Sequence, residues 1–430
     1  MKITSLLSIV IFSVLAICGN VFAQSEKCAT MQVLEKRIQS DPGTLLRMQQ
    51  TETVSQAWIS ENKNILKHKN QPKSGALVTI PVVVHVLYND ATENVSYEQI
   101  MSQIDGLNED FRLLNSDSLD DTHPFWSYTA DTEIEFCLAS IDPNGNATTG
   151  ITRTFTNVTE FSGDGSEKFT ASGGKDNWDP TKYLNIWVCD LSASGGTLGY
   201  AAFPSELTAY PDEDGVVIHY QAFGYIGTAG TGGFSANDLG RTGTHEVGHW
   251  LNLRHIWGDE ICGDDFVPDT QIAEDANYGC PTFPQNPWST CGSDGDGEMY
   301  MNYMDYVDDY CMVMFTYDQG TRMLSTLFGE RDGILTSQGC GTVSVTEYLP
   351  ENSFNLYPNP SDGNVIINSQ IDGSKNVTIS LFDLQGNELK TFENNSFPFE
   401  MNLSELPNGS YLIKFQTGYQ SVTKKLFLSK

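Results

Sequence analysis

The segment Thr244-His245-Glu246-Val247-Gly248-His249-Trp250-Leu251-Asn252-Leu253-Arg254-His255 constrains this chain more than any other stretch. Residues four apart share a helix face, so His245 and His249 present their imidazoles to one ion. Glu246 follows the first ligand directly and reaches a water on that ion. His255 stands six residues beyond His249 and joins the set only if the helix stops and the chain doubles back. That reversal calls for positive φ near residue 252, where Asn is the best choice after Gly. Three neutral imidazoles leave the fourth position of a zinc ion to water, the arrangement of a catalytic rather than a closed structural site. Zinc acidifies that water and polarises a carbonyl, and Glu246 is placed to act as general base. Three of the seven histidines of the chain fall in this one segment. His85 and His219 sit in apolar strands and read as satisfied core residues, while His68 and His123 carry no signal.

At 430 residues, more than one folded unit is expected. Residues 1–23 read as a signal peptide: Lys2, an apolar run from Leu6 to Ile17, then Val21-Phe22-Ala23 before a cleavage site. The run is shorter than the roughly 20 residues that span a bilayer, and later apolar stretches are shorter still, so no transmembrane segment is expected in the mature protein. Residues 24–75 are polar, with helical stretches over 31–38 and 45–59, and end in a basic, broken joint through Lys67, Lys69, Pro72 and Lys73. This reads as a propeptide. Residues 76–341 form the main domain, of mixed α+β type. Its strands are expected at 78–88, 133–139, 184–189 and 215–219, and its helices at 97–114 and 239–253. Pro81 argues against a central position for the first half of the opening strand. A polar linker, 342–351, leads to a tail, 352–430, whose short segments and turn formers predict a small β-sandwich.

The formal charge of -31, from 55 Asp and Glu against 24 Lys and Arg, excludes nucleic acid as an expected partner. Eight of the nine cysteines lie beyond the signal segment, and in an exported protein they predict disulfides. Four of them, Cys262, Cys280, Cys291 and Cys311, crowd into a Gly-, Asp- and Pro-rich stretch, where spacing alone allows three connectivities.

Together with Gly240-Arg241-Thr242-Gly243 ahead of it, the zinc segment resembles the pappalysin family of the metzincin clan over roughly 77–340. Asn252 stands where the clan has Gly. The second family signature is Asn302-Tyr303-Met304-Asp305-Tyr306. The resemblance implies a metzincin catalytic domain: a twisted mixed sheet, an active-site helix and an irregular, disulfide-tied lower subdomain. It makes Met304 the Met-turn residue beneath the metal and Tyr306 a donor to the tetrahedral intermediate. It also implies Cys262–Cys291 and Cys280–Cys311 disulfides, and a calcium ion held by Asp265, Asp269 and Thr270. In Ser25-Glu26-Lys27-Cys28-Ala29-Thr30 it makes Cys28 the thiolate switch that silences a zymogen; the alternative is a disulfide, for instance to Cys340. With Cys28 as the switch, Cys137 is paired with Cys189 and Cys340 is left over.

Asp308 and Asp309, next to the Met-turn, are expected to favour Arg or Lys just after the cut. The tail, through Leu356-Tyr357-Pro358-Asn359-Pro360, Asn408-Gly409-Ser410-Tyr411 and Lys424-Lys425-Leu426, resembles the sorting domain of the Bacteroidetes type IX secretion system. The function implied is a secreted or cell-surface zinc metalloendopeptidase acting on extracellular proteins or peptides, with the type IX machinery as a further partner. The competing reading is a surface adhesin with a zinc site that does not turn over, against which an intact Glu246 stands.

Overall fold

The structure, a computed structural model, describes residues 27–62, 65–66, 77–292, 295–341, 354–369, 377–383, 388–394, 396–417 and 420–430. The expected signal segment, the basic joint and the linker lie outside them. The chain divides into two compact units, Met1–Gly341 and Thr342–Lys430.

The first unit opens with two helices, α1 (Thr30–Ser40) and α2 (Gly43–Asn62). The strand β1 (Val78–Tyr88) follows, then helix α3 (Tyr97–Phe111). Strands β2 (Ile134–Leu138), β3 (Ile151–Phe155), β4 (Leu184–Cys189), β5 (Gly199–Ala201) and β6 (Val216–His219) complete a sheet of order β2-β1-β4-β6-β5, with β3 also pairing β1. All its pairings are parallel except β5 on β6, so β5 is an antiparallel edge. β1 is buried on both faces, which is why it reads as an unbroken apolar run. Its Val78, Ile80, Val82, Val84 and Val86 join the same core as Ile100, Ile104, Leu107 and Phe111 of α3. Pro81 pairs with β2 on one side, whereas β4 joins only from Val82 onward. The first half of β1 is therefore flanked on one side only, where a missing N–H is tolerated.

Helix α4 (Arg241–Trp250) carries the zinc segment and is buried along its whole length. Beyond it the chain is irregular, broken by the short pair β7 (Tyr278–Gly279) and β8 (Tyr306–Val307), and closes with helix α5 (Tyr317–Leu327). Cys262 is bonded to Cys291 and Cys280 to Cys311, the pairing the family resemblance implies.

One expected disulfide is corrected. Cys137 is bonded to Cys340, not to Cys189, and Cys189 is a free, buried thiol. β2 and β4 lie on opposite sides of β1, so Cys137 and Cys189 are separated by two strand spacings of about 4.8 Å each. That exceeds the roughly 7 Å a disulfide bridges between Cα atoms. Gly339 instead runs beside the end of β2, its carbonyl accepting from Ser140 N and Ile141 N, and delivers Cys340 to Cys137.

The second unit is all antiparallel. A three-stranded sheet of β9 (Phe354–Tyr357), β10 (Asn364–Ser369) and β13 (Phe399–Asn402) has the order β13-β10-β9. A four-stranded sheet of β11 (Val377–Phe382), β12 (Glu388–Asn394), β14 (Gly409–Thr417) and β15 (Gln420–Leu428) has the order β12-β11-β14-β15. Their inner faces share one core, with Phe354 stacked on Phe415 at 4.2 Å between ring centres, as expected of a small β-sandwich.

Candidate zinc centre

α4 starts at Gly240, in the left-handed region at φ 74°, and stops after Trp250. Asn252 takes φ 74°, the reversal that the spacing from His249 to His255 demands. Arg322 Nε of α5 donates to the Asn252 carbonyl at 2.7 Å and holds the turn. The three imidazoles then meet, with Nε2–Nε2 separations of 3.1 Å (His245–His249), 3.1 Å (His249–His255) and 3.2 Å (His245–His255).

The outer nitrogens decide what this cluster holds. His245 Nδ1 faces the Tyr303 carbonyl at 2.7 Å, His249 Nδ1 the Leu253 carbonyl at 2.9 Å, and His255 Nδ1 the Asp259 carboxylate. These partners only accept, so each Nδ1 carries its ring's proton and each Nε2 turns a lone pair inward. Three lone pairs aimed at one point repel one another unless a cation sits among them. Nitrogens about 2.0–2.1 Å from a tetrahedral zinc lie roughly 3.3 Å apart, which matches the separations here. Burial also keeps the rings neutral, as ligation requires: it lowers His245 and His255 to about 3 and His249 well below its ordinary value.

A fourth ligand atom is at hand. Cys28 Sγ lies with the three imidazoles in one buried group whose ligand atoms are all within 4.8 Å of one another. Cys28 is not in a disulfide. It is delivered by main-chain pairing with the edge strand β5: Ala29 N donates to Gly199 O at 3.0 Å and Leu198 N to Lys27 O at 2.7 Å. Two residues on, Thr30 Oγ1 donates to Glu246 Oε2 at 3.0 Å and accepts from Ala201 N at 2.9 Å. Burial lifts the Glu246 carboxyl to about 8, against the hydrogen bonds from Cys28 and Thr30.

Met304 lies under the helix, wholly buried. A Cβ at Gly248 would stand 2.5 Å from Met304 Sδ, so helix and Met-turn approach this closely only because residue 248 is Gly. Buried Asp110 ties the same parts together, accepting from Thr244 Oγ1 at 2.7 Å and Tyr303 OH at 2.8 Å. Tyr306 stands beside the metal ligands, its ring centre 4.8 Å from His255 and its hydroxyl donating to the Cys28 carbonyl at 3.3 Å.

The remaining expected residues separate. Asp308 pairs with Lys27 Nζ at 3.1 Å, and Lys27 itself lines a pocket together with Glu246 and Tyr306. Asp309 lines that pocket too, but its carboxylate is turned into the protein, accepting from Leu239 N at 2.9 Å and Arg241 N at 3.2 Å. Asp265 accepts from Thr270 Oγ1 at 2.8 Å and Val267 N at 3.0 Å, whereas Asp269 points to α5, accepting from Thr316 Oγ1 and Asp318 N. Three contributors escaped sequence reasoning: Asp259, Thr30 and Trp257, whose ring stacks on His255 at 4.4 Å. Only Asp259, four residues beyond His255, had a legible spacing.

A family model described as Pregnancy-associated plasma protein-A, the M43 peptidases, matches residues 167–328, and one for a secretion system C-terminal sorting domain matches 355–429. An extracellular metalloprotease of Colletotrichum graminicola is 41% identical over 133 residues, 30% of this chain and 44% of that protein. The chain thus spans under half the length of that fungal relative. Another, from Pyricularia oryzae, is 30% identical over 59% of this chain and 76% of its own length. Mature mirolysin of Tannerella forsythia, solved with a cleaved peptide, is 47% identical, with a TM-score of 0.57 over 61% of this chain and 96% of that one. A mutant of its precursor, promirolysin, is 41% identical, with a TM-score of 0.61 over 72% of this chain and 97% of that one. With its histidine cluster, its Met-turn and these matches, the chain belongs to the M43, pappalysin-type family of metzincin zinc peptidases and carries a type IX secretion sorting domain.

Proposed function

We propose that this chain is the precursor of a secreted zinc metalloendopeptidase that cuts extracellular proteins or peptides, with residues 24–75 as its removable propeptide. The observation that carries this is the cluster of inward Nε2 lone pairs beside Glu246. When bound there, zinc supplies a Lewis acid for the scissile carbonyl and acidifies a water. Glu246 takes the proton of the attacking water and passes it to the leaving amine. Tyr306, whose hydroxyl already donates to a carbonyl over the site, donates to the oxyanion. The edge of β5 holds the extended substrate by main-chain hydrogen bonds, as it holds residues 27–29 here. The Cys28–Gly199 pairing is parallel, so the propeptide lies opposite in direction to a substrate bound antiparallel to β5.

In the precursor Cys28 closes the fourth ligand position and Thr30 occupies the base, which accounts for latency. Lys27 against Asp308 supports a preference for Arg or Lys just after the cut, with Asp309 shaping the pocket wall. A calcium ion at Asp265, Asp269 and Thr270 rests on the resemblance of segment 264–270, whose carboxylates here serve hydrogen bonds within the fold. The domain scheme proposed is signal peptide 1–23, propeptide 24–75, catalytic domain 76–341, linker 342–351 and sorting domain 352–430, the last directing export by the type IX route. Casein hydrolysis by the processed protein, abolished by chelation and by Glu246→Ala, tests the reading. Hydrolysis that survives Glu246→Ala removes the assigned mechanism.

A further inference from the structure

Between α1 and the end of β5 lies a cavity of about 270 Å³ lined by Arg37, Tyr200, Ala201, Glu206, Tyr210 and Glu213 among others. Arg37 of the propeptide lines it and is held at its wall in a manner specific to a guanidinium. Its Nη1 donates to Glu213 Oε1 at 3.2 Å and its Nη2 to Glu213 Oε2. Its Nε stands 3.3 Å from Glu206 Oε1, and its Cζ lies 3.8 Å from the centre of the Tyr210 ring. A carboxylate fork, a second carboxylate and an aromatic face together select a planar cation over an ammonium.

The charges around the socket show that it needs such a guest. Asp214 is taken up by Arg331, at 2.8 and 2.9 Å, and by Trp250 Nε1 at 3.0 Å. Lys168 faces Glu167, Glu206 and Glu213 as a single cation, its Nζ donating to the Glu213 carbonyl at 2.6 Å. Without Arg37, Glu206 and Glu213 share that one lysine with Glu167, which also accepts from Tyr200 OH. Glu206 is only 5% exposed, and its Oε1 accepts no hydrogen bond beyond the ion pair with Arg37. A carboxylate oxygen buried in this way calls for a replacement cation.

The place of the socket says which. Leu198, just before β5, lines the pocket of Lys27, Glu246 and Asp309, whereas Tyr200, Ala201 and Ala202, at and just beyond its end, line the socket. A substrate running antiparallel to β5, with the residues after its cut toward Leu198, carries the residues before its cut past the socket. We infer that Glu206, Glu213 and Tyr210, occupied by Arg37 in the precursor, form a subsite of the processed enzyme for an arginine side chain upstream of the scissile bond. The favoured substrate class is therefore peptides with a basic residue on each side of the cut. This rests on the proposed peptidase activity and on removal of residues 24–75.

The test uses the processed enzyme on peptides with one fixed cut site and only Gln upstream, into which a single Arg is moved one place at a time. At one position Arg is expected to raise kcat/KM about tenfold over the all-Gln peptide, while uncharged citrulline does not. Glu213→Gln and the double variant Glu206→Gln, Glu213→Gln are expected to erase the gain yet cleave the all-Gln peptide as the wild type does. No favoured position, or a gain that survives both variants, overturns the subsite. If the double variant fails to fold, the single Glu213→Gln decides, since that carboxylate is partly exposed. Failure to cleave any peptide, all-Gln included, sinks the peptidase reading itself and the subsite with it.

Discussion

The zinc helix and the acidic loop 264–270 are both rich in metal-ligand side chains, yet they use them in opposite ways. Around the helix each imidazole N–H is turned outward, to the carbonyls of Tyr303 and Leu253 and the carboxylate of Asp259, so the inward nitrogens converge on one point with Cys28 Sγ beside them. In the loop the carboxylates find donors within the fold: Asp265 closes its own turn through Thr270 and Val267, and Asp269 caps α5 through Thr316 and Asp318. Ligand-type residues make an ion site when their lone pairs converge unsatisfied. When donors meet them first, they make a folded loop.

The sharpest break of this contrast is in the helix. Glu246→Ala is expected to cut casein hydrolysis by about 10³-fold or more while zinc content stays at one per chain, measured by elemental analysis. A variant that keeps its activity refutes the assignment of the base. His249→Ala should lose both metal and activity.

Tyr306→Phe is expected to lower kcat by about 10²-fold with little change in KM, since the phenol would act only once negative charge develops. An effect confined to KM would make Tyr306 a packing residue. Asp259→Asn should weaken zinc binding by about tenfold in competition with a chelator, because it removes the negative charge that fixes the His255 Nδ1 proton and raises the basicity of the ring.

The loop should answer differently. Asp265→Asn is expected to leave kcat/KM nearly unchanged and to cost about 1–3 kcal/mol of stability, read from denaturant unfolding. Burial lifts the Asp265 carboxyl to about 7, so its contribution is fully present below its unfolded value near 3.8 and is lost as pH rises through 7. Asp265→Asn should flatten that slope. Calcium that raises the melting temperature of the wild type but not of Asp265→Asn would move the loop into the class of ion sites.

Much of the helix side was legible. His245, Glu246, His249 and His255 announced themselves by spacing, and the need for a turn at Asn252 followed from that spacing alone. The central strand showed as an unbroken apolar, β-branched run, and α3 and the tail sandwich in their periodicity. The strands β3 and β5 did not: β3 holds two threonines and an arginine and no fully buried position, β5 is only three residues long, and β5 matters most of the two. The Cys137–Cys189 expectation failed because it treated leftover cysteines as a matching problem, whereas strand order sets which of them come within reach.

By itself, then, the sequence determined the local chemistry: which imidazoles converge, which carboxylate stands beside them, and where the helix must end. Such choices rest on residue type and on the fixed geometry of a helical turn. Only the tertiary structure decided what approaches that chemistry from afar. Thr30 on Glu246, Lys27 at Asp308 and Arg37 between Glu206 and Glu213 join residues at least 169 apart along the chain. Periodicity reports which face of an element is apolar; it carries no information about which distant element covers that face.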